Sequence, residues 1–202
     1  MFNSVVYSDP AALAEARHEL ASAYAEHGCA WTVWVPEHDK ETARMLRDAG
    51  HRLDAEPRAM GFELGGVPEP DLTAIDWTDD ADLDEACALN DDAYGYQPGT
   101  WRRGIGDDPH GLITYLARVD GAAASTVGAR YAEGDCSIWN VATSERARGK
   151  GLATALMRRA LWDARQAGCH TTTLQATKLG APVYEGLGYR DFGALQMWEC
   201  RE

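Results

Sequence analysis

Val141-Ala142-Thr143-Ser144-Glu145-Arg146-Ala147-Arg148-Gly149-Lys150-Gly151-Leu152-Ala153-Thr154 is the run on which the reading of this chain turns. The apolar stretch before it, Cys136–Ala142, reads as a strand. After it, Leu152/Ala153, Leu156/Met157, Ala160/Leu161 and Ala164 recur at helical spacing, which predicts a helix over Gly149–Ala167 ended by Gly168. A strand therefore feeds a short R-x-x-G-x-G loop that opens a helix. The first amides of a helix have no intrahelical partner and lie at the positive end of its dipole. Glycines let backbone approach a ligand closely, and Arg146, Arg148 and Lys150 add positive charge. The combination predicts a cradle for a pyrophosphate.

Working outward, Gly65-Gly66-Val67-Pro68-Glu69-Pro70 suits neither helix nor strand and predicts a linker at 67–71 between a segment 1–66 and a domain 72–202. Before it, helices are expected over Pro10–His27 and Asp39–Ala49, with strands over Ala30–Val35 and Glu56–Leu64. After it come a strand Leu72–Trp77, a helix Asp80–Ala93, a loop or short helix Gln97–Ile105, and strands His110–Val119, Ala122–Tyr131 and Cys136–Ala142. Asp120-Gly121 and Gly134-Asp135 supply the turn signals between these strands. Beyond the long helix, a strand Thr171–Ala176, a short helix Gly180–Leu187 and a strand pair within Tyr189–Cys200 complete the order. Hairpins combined with a strand–helix–strand crossover imply an α/β fold with a mixed sheet flanked by helices.

The 202 residues carry a formal net charge of -13, with 45% hydrophobic and 25% charged residues. That balance supports a globular core. The acidity excludes a nonspecific nucleic-acid binder, which needs a basic face, and agrees with a cationic substrate. No apolar run approaches the ~20 residues that span a bilayer, and Met1–Pro10 lacks the pattern of a signal peptide. A cytoplasmic protein that does not engage a membrane is expected. The five cysteines have no C-x-x-C spacing and the six histidines do not cluster, so no metal is expected.

Three phosphate-binding loops compete for the central run. G-x-x-x-x-G-K-[ST] does not occur. A G-x-G-x-x-G/A dinucleotide loop would meet Thr154 at its third position, follow an early strand and precede a strand ending in an acidic residue; here that strand ends in Gln175-Ala176. The third is the acyl-CoA loop. The run resembles the [QR]-x-x-G-x-[GA] motif of the GNAT superfamily of N-acetyltransferases, filled by Arg146, Gly149 and Gly151. Ala181-Pro182-Val183-Tyr184-Glu185-Gly186-Leu187-Gly188-Tyr189 is similar to that family's A-x-x-x-Y-x-x-x-G-[FY] segment. The likeness covers about 130 residues, Leu72 to Cys200, and the element order agrees with it.

The resemblance implies a GNAT-type fold and direct attack of an amine on acetyl-CoA, used as a co-substrate. It implies that Val141, Ala142 and Thr143 line the pantetheine arm on a strand splayed from its neighbour. The pyrophosphate would be held by backbone amides from Arg148 through Gly149, Lys150, Gly151, Leu152 and Ala153 to Thr154, an oxyanion by an amide near Val141, and the departing thiolate would be protonated by Tyr184. Thr177 and Lys178 are further contacts, although the family's frequent Asn is missing there. The expected acceptor is a small-molecule amine; a protein N-terminus or lysine, and a non-catalytic acyl-CoA-binding role, remain open, as does a homodimer. No general base stands out among Asp91, Asp92, Glu133, Asp135 and a water chain. Trp101 and Trp139 are candidates for the acceptor pocket.

The first segment also echoes the last. Gly28-Cys29 and Gly168-Cys169 both end a helix before a strand, and Leu46-Arg47-Asp48-Ala49-Gly50-His51-Arg52 parallels Tyr184 to Arg190. Residues 1–66 are thus expected to be a degenerate, structural half of the same fold, with Leu46 where Tyr184 stands.

Overall fold

The computed structural model describes residues 3–106 and 111–201. In chain order the elements are β1 (Ser4–Val5), α1 (Pro10–Glu26), β2 (Trp31–Pro36), α2 (Lys40–Asp48), β3 (Arg52–Ala55), β4 (Arg58–Glu63), β5 (Asp76–Thr78), α3 (Leu83–Tyr94), α4 (Thr100–Ile105), β6 (Leu112–Val119), β7 (Ala122–Ala132), β8 (Asp135–Thr143), α5 (Leu152–Gln166), β9 (Thr171–Ala176), α6 (Ala181–Glu185) and β10 (Arg190–Cys200), with 3-10 turns at Leu64–Gly66 and Glu145–Ala147. This is the mixed α/β order expected. His110, the expected start of β6, lies outside the described residues.

The chain forms two compact units. One comprises Met1–Ala59, Gln175–Ala181 and Asp191–Glu202; the other comprises Met60–Leu174 and Pro182–Arg190. In the first unit β2 is parallel to β1 and antiparallel to β10, which also pairs with β3. Leu13, Trp31, Val33, Val35, Ala43, Leu46 and Trp198 form its core. Asp9 and Asp39 start α1 and α2 by accepting from Ala11 N and Thr42 N, as capping residues do. In the second unit the strand order is β4-β9-β8-β7-β6-β5. β5 to β8 are antiparallel neighbours, whereas β8 and β9, joined through α5, are parallel.

Cross-strand pairs tell which side of the sheet each residue occupies, because directly opposed residues share a face. Tyr115 donates to Asp163 of α5 at 3.0 Å, so Tyr115 and its partner Val127 face α5. Leu116 packs with Ala86 and Leu89 of α3. Its partner Thr126, and Ala142 opposite Thr126, therefore face α3. α5 and α3 thus cover opposite faces. The α5 stripe Leu152, Leu156, Met157, Ala160, Leu161 and Ala164 is buried, the periodicity read from the sequence.

Several boundaries differ from expectation for local reasons. The strand expected over Leu72–Trp77 forms only at its end, as Asp76–Thr78: Asp71 accepts from Thr73 N and Oγ1, a turn that holds the backbone away from extended pairing until Asp76. α5 begins at Leu152, not Gly149, because Gly149 and Gly151 sit at φ of 75° and 77° in the left-handed region. The second hairpin turn is Glu133-Gly134, not Gly134-Asp135; both its central residues have positive φ (49° and 78°), as a type I′ turn requires. Pro57, which has no amide to donate, separates β3, unforeseen in the sequence, from β4. Tyr189–Cys200 holds one long strand instead of a pair. Gly193 makes room for Glu37 there instead of turning: a Cβ would lie 3.0 Å from Glu37 Oε1, and Ala194 N donates to Glu37 Oε2 at 2.7 Å.

His51 is buried in the first unit, edge-on to Trp31 with ring centroids 4.9 Å apart, and neither ring nitrogen has a hydrogen-bond partner among the described residues. Burial, with Arg17 adding to it, lowers its pKa. The unfolded imidazole binds its proton near about pH 6.5 and the native one only at lower pH, so this contribution to stability is present above about pH 6.5 and lost as pH falls toward the native value. Urea unfolding at about pH 7.5 and about pH 5.5 should show a loss of stability on acidification that is smaller in His51→Phe.

Candidate active site

β8 keeps β7 as a partner to its end, from Ala132–Asp135 to Ser125–Thr143. Its parallel ladder with β9 stops at Ser137–Thr173, and β8 runs on to Thr143 without it. The β9-facing edge of residues 138–143 is thus left outside the ladder. Within that length the register shifts between Thr126 and Gly128, so Val127 alone opposes Asn140 and Val141. Asn140 has φ 52°, left-handed and uncommon outside glycine, and this bulge re-aims the backbone at Val141.

The strand end is fastened before the loop begins. Ser125 Oγ donates to Ala142 O at 3.1 Å and shares a 2.9 Å hydrogen bond with Thr143 Oγ1; Ser144 N donates to Ala124 O at 2.9 Å. Ala147 N and Arg148 N are taken by Ser144 O and Glu145 O in the 3-10 turn. The following amides, at Gly149, Lys150 and Gly151 and in the first turn of α5, open the cradle. Gly151 caps α5 without a side chain that could satisfy them. A Cβ at Gly149 or Gly151 would meet nothing within 4 Å. The left-handed φ, not crowding, favours glycine there, and the space above both residues is open to a ligand. Arg146, Arg148 and Lys150 are all exposed. Arg146, Arg148, Gly149, Lys150 and Gly151 are thus exposed together between the end of β8 and the start of α5, with donors and cations suited to a pyrophosphate.

Tyr184, on α6, belongs to the same unit and is buried. Its ring packs edge-on against Tyr189 at 5.8 Å, and Tyr189 shares a 2.8 Å hydrogen bond with Thr172 Oγ1. No described residue hydrogen-bonds its hydroxyl. Desolvation, with the neighbouring Tyr94 phenol adding to it, pushes its pKa well up, so the hydroxyl stays protonated and able to donate. Tyr94, the last residue of α3, donates from its hydroxyl to Val141 O at 3.1 Å. This tie between α3 and the bulged strand was not assigned from the sequence. Its signal was Tyr94-Gly95-Tyr96: Gly95 ends α3 in the left-handed conformation, Tyr96 N returns to Asp91 O, and the two tyrosine rings stack at 5.9 Å.

The remaining candidates divide. Thr177 and Lys178 belong to the first unit, and Thr177 Oγ1 accepts from Gly180 N at 3.1 Å. Asp91 is buried with both oxygens engaged, by Gly99 N at 2.7 Å and Trp101 N at 3.0 Å; it fixes the start of α4 and is not available as a base. Asp135 is likewise engaged, by the hydroxyls of Thr171 and Thr173, at the opposite end of β8 from Val141. Glu133 is an exposed turn residue beside it, and Asp92 is exposed on α3. Trp139 is exposed on β8. No cluster of three or more metal-ligating side chains occurs among the described residues.

Known proteins give this arrangement a family. Residues 73–189 match the model of the acetyltransferase (GNAT) family. Among solved structures, a GCN5-related N-acetyltransferase from Kribbella flavida is similar at TM-score 0.71 and 21% identity, over 98% of this chain and 78% of that one. A GCN5-related N-acetyltransferase from Sphaerobacter thermophilus is similar at TM-score 0.69 and 17% identity, over 98% and 73%. A tandem GNAT protein from the clavulanic acid biosynthesis pathway is similar at TM-score 0.65 and 15% identity, over 94% and 68%. No curated protein matches in sequence. The family match spans more than half of the residues, and the chain belongs to the acetyltransferase (GNAT) family.

Asp91 generates a stability test. Asp91→Ala leaves two amides without their charged acceptor, and a hydrogen bond to a charged group contributes about 1.5–3 kcal/mol. Chemical denaturation should register a loss of about 3 kcal/mol, together with faster amide exchange at Gly99 and Trp101.

Proposed function

We propose that this acyltransferase moves an acetyl group from acetyl-CoA to the primary amine of a small molecule by direct attack within a ternary complex. The observation that carries the reading is the open glycine cradle at Gly149 and Gly151, directly following a strand whose pairing with its parallel neighbour has ended. In this reading the amides from Gly149 to Thr154 hold the pyrophosphate, helped by the charges of Arg146, Arg148 and Lys150; the Arg148 amide, expected to join them, is bonded to Glu145 O instead. Val141, Ala142 and Thr143 line the pantetheine arm.

Two bound reactants held in orientation supply much of the rate. The amide of Val141 polarises the thioester carbonyl and holds the developing oxyanion. The neutral amine forms the carbon–nitrogen bond and passes its surplus proton to solvent; the carbon–sulfur bond breaks, the departing thiolate takes the Tyr184 proton, and solvent returns one to the phenol. Desolvation keeps that phenol protonated throughout the neutral range. Residues 1–66 are proposed as a degenerate half of the same fold with a structural role, joined by the linker 67–71. The echo around Gly28-Cys29 and Gly168-Cys169, and the likeness over 94% of the chain to a tandem GNAT protein, support that division.

The cradle is tested by Gly151→Glu, which sets a carboxylate against the pyrophosphate at a strained φ. Calorimetric titration should detect acetyl-CoA binding to the wild type and none to the variant. Tyr184→Phe should retain acetyl-CoA affinity while kcat falls about 100-fold, the lower end for a positioned acid. Because the pKa of Tyr184 is raised, its proton is lost only above the ordinary phenol range. The wild-type kcat/KM profile should therefore rise with amine deprotonation up to about pH 10, with no descending limb from Tyr184 over that range. Unchanged turnover by the Phe variant removes Tyr184 from the reaction; acetylation of added peptides but not of small amines moves the acceptor class to protein.

A further inference from the structure

Resting on the acetyl-transfer reading above, we infer that the acceptor is a primary monoamine with a flat, apolar body, received against the exposed rings of Trp139, Tyr94 and Tyr96.

Trp139 pairs with Gly128, which lies two positions along β7 from Thr126, and so occupies the face of the sheet that α3 covers. It is two residues from Val141, about 7 Å along the strand. Tyr94 reaches the same backbone from α3 by its hydrogen bond to Val141 O. The indole is held, not loose: Nε1 donates to Ser137 Oγ at 2.7 Å, which satisfies its one polar atom and leaves its surface 45% exposed. Tyr94 and Tyr96 are 47% and 43% exposed while stacked on each other. Gly128, directly opposite Trp139, adds no side chain on this face, and a Cβ there would press on Trp139 O at 3.1 Å. Half-exposed aromatic surface on the face of β8 that carries Tyr94, with the Trp139 and Tyr94 polar atoms already engaged, suits stacking of a flat group.

The carboxylates of α3 are mostly spent within the fold. Asp82 accepts from Glu85 N, Asp84 pairs with Arg102 at 2.6 Å, Glu85 forks onto Arg118 at 2.6 and 2.5 Å, and Asp91 holds two amides. Asp92 stays exposed without a partner among the described residues, but it lies two residues before Tyr94 and so on another side of α3 from the ring that reaches Val141. A polyamine would need several unspent carboxylates, so the net charge of -13 does not translate into a polycation site.

The test uses the full chain, acetyl-CoA and three amines, 2-phenylethylamine, n-propylamine and spermidine, with release of the CoA thiol as readout and calorimetry for acetyl-CoA. The expected result is kcat/KM for 2-phenylethylamine about tenfold above both others. Trp139→Leu and Tyr96→Leu should each raise its KM about tenfold, with kcat at saturation and acetyl-CoA affinity changed by less than about twofold. Preference for spermidine, equal use of the three amines, or an unmoved KM in both variants, each folded by thermal melt, overturns the inference. So does acetyl-CoA binding with none of the three acetylated, which leaves the acetyl-transfer reading standing. Failure of the wild type to bind acetyl-CoA overturns both.

Discussion

A strand that keeps one partner and loses the other is the constraint on which this site depends. β8 remains hydrogen-bonded to β7 as far as Thr143, yet its ladder with β9 ends at Ser137–Thr173. Backbone amides and carbonyls are obligatory hydrogen-bonding groups, and leaving a row of them without a sheet partner inside a domain is costly. The fold limits that cost in visible ways. Tyr94 takes the Val141 carbonyl, and the bulge at Asn140 turns the intervening backbone. What is left over is a stretch of strand edge outside the β9 ladder, the edge that the proposed reading assigns to the co-substrate.

The same strand end sets the loop. Ser144 and Ala147 are tied down by backbone bonds, so the chain enters Gly149 in a fixed direction. Two left-handed glycines then turn it into α5, whose buried stripe locks the helix to the sheet through Leu152, Leu156 and Met157. The N-terminus of a well-packed helix is a rigid donor array. Such an array loses little entropy on binding an anion, which is why it is more useful than the same number of amides on a free loop.

Much of this was legible in the sequence because the signals are local. Gly149 and Gly151 before a 3.6-periodic run announce a turn and a helix start, and Thr171–Ala176, alternating buried and exposed, emerges with the expected bounds. The errors came from side chains acting at a distance or competing with the backbone. Asp71 diverts Leu72–Ile75 from a strand; Glu37, far away in sequence, turns Gly193 from an apparent chain reversal into a close contact. The role of Asp91 was invisible for the same reason. A carboxylate in Asn90-Asp91-Asp92 reads as surface or base until the amides of Gly99 and Trp101 are seen to close on it. Tyr94 was in a segment recognised as aromatic and polar, but its contact with Val141 joins residues 47 apart.

Charge follows a parallel logic. A net charge of -13 should repel a polyphosphate, yet three cations within Arg146–Lys150 and the start of α5 create a local field of the opposite sign. With a Debye length of about 8 Å at physiological ionic strength, the remote carboxylates are screened and the nearby cations and amides decide. On the acceptor side the argument reverses. The acidic composition suggests a strong attraction for cations, but Asp84, Glu85 and Asp91 are already bound to groups of the protein itself. A carboxylate compensated within the fold holds α3 and α4 in position and has little field left for a ligand. The sign and number of charges offered to each reactant are thus fixed by which residues the fold leaves uncompensated, not by the composition of the chain.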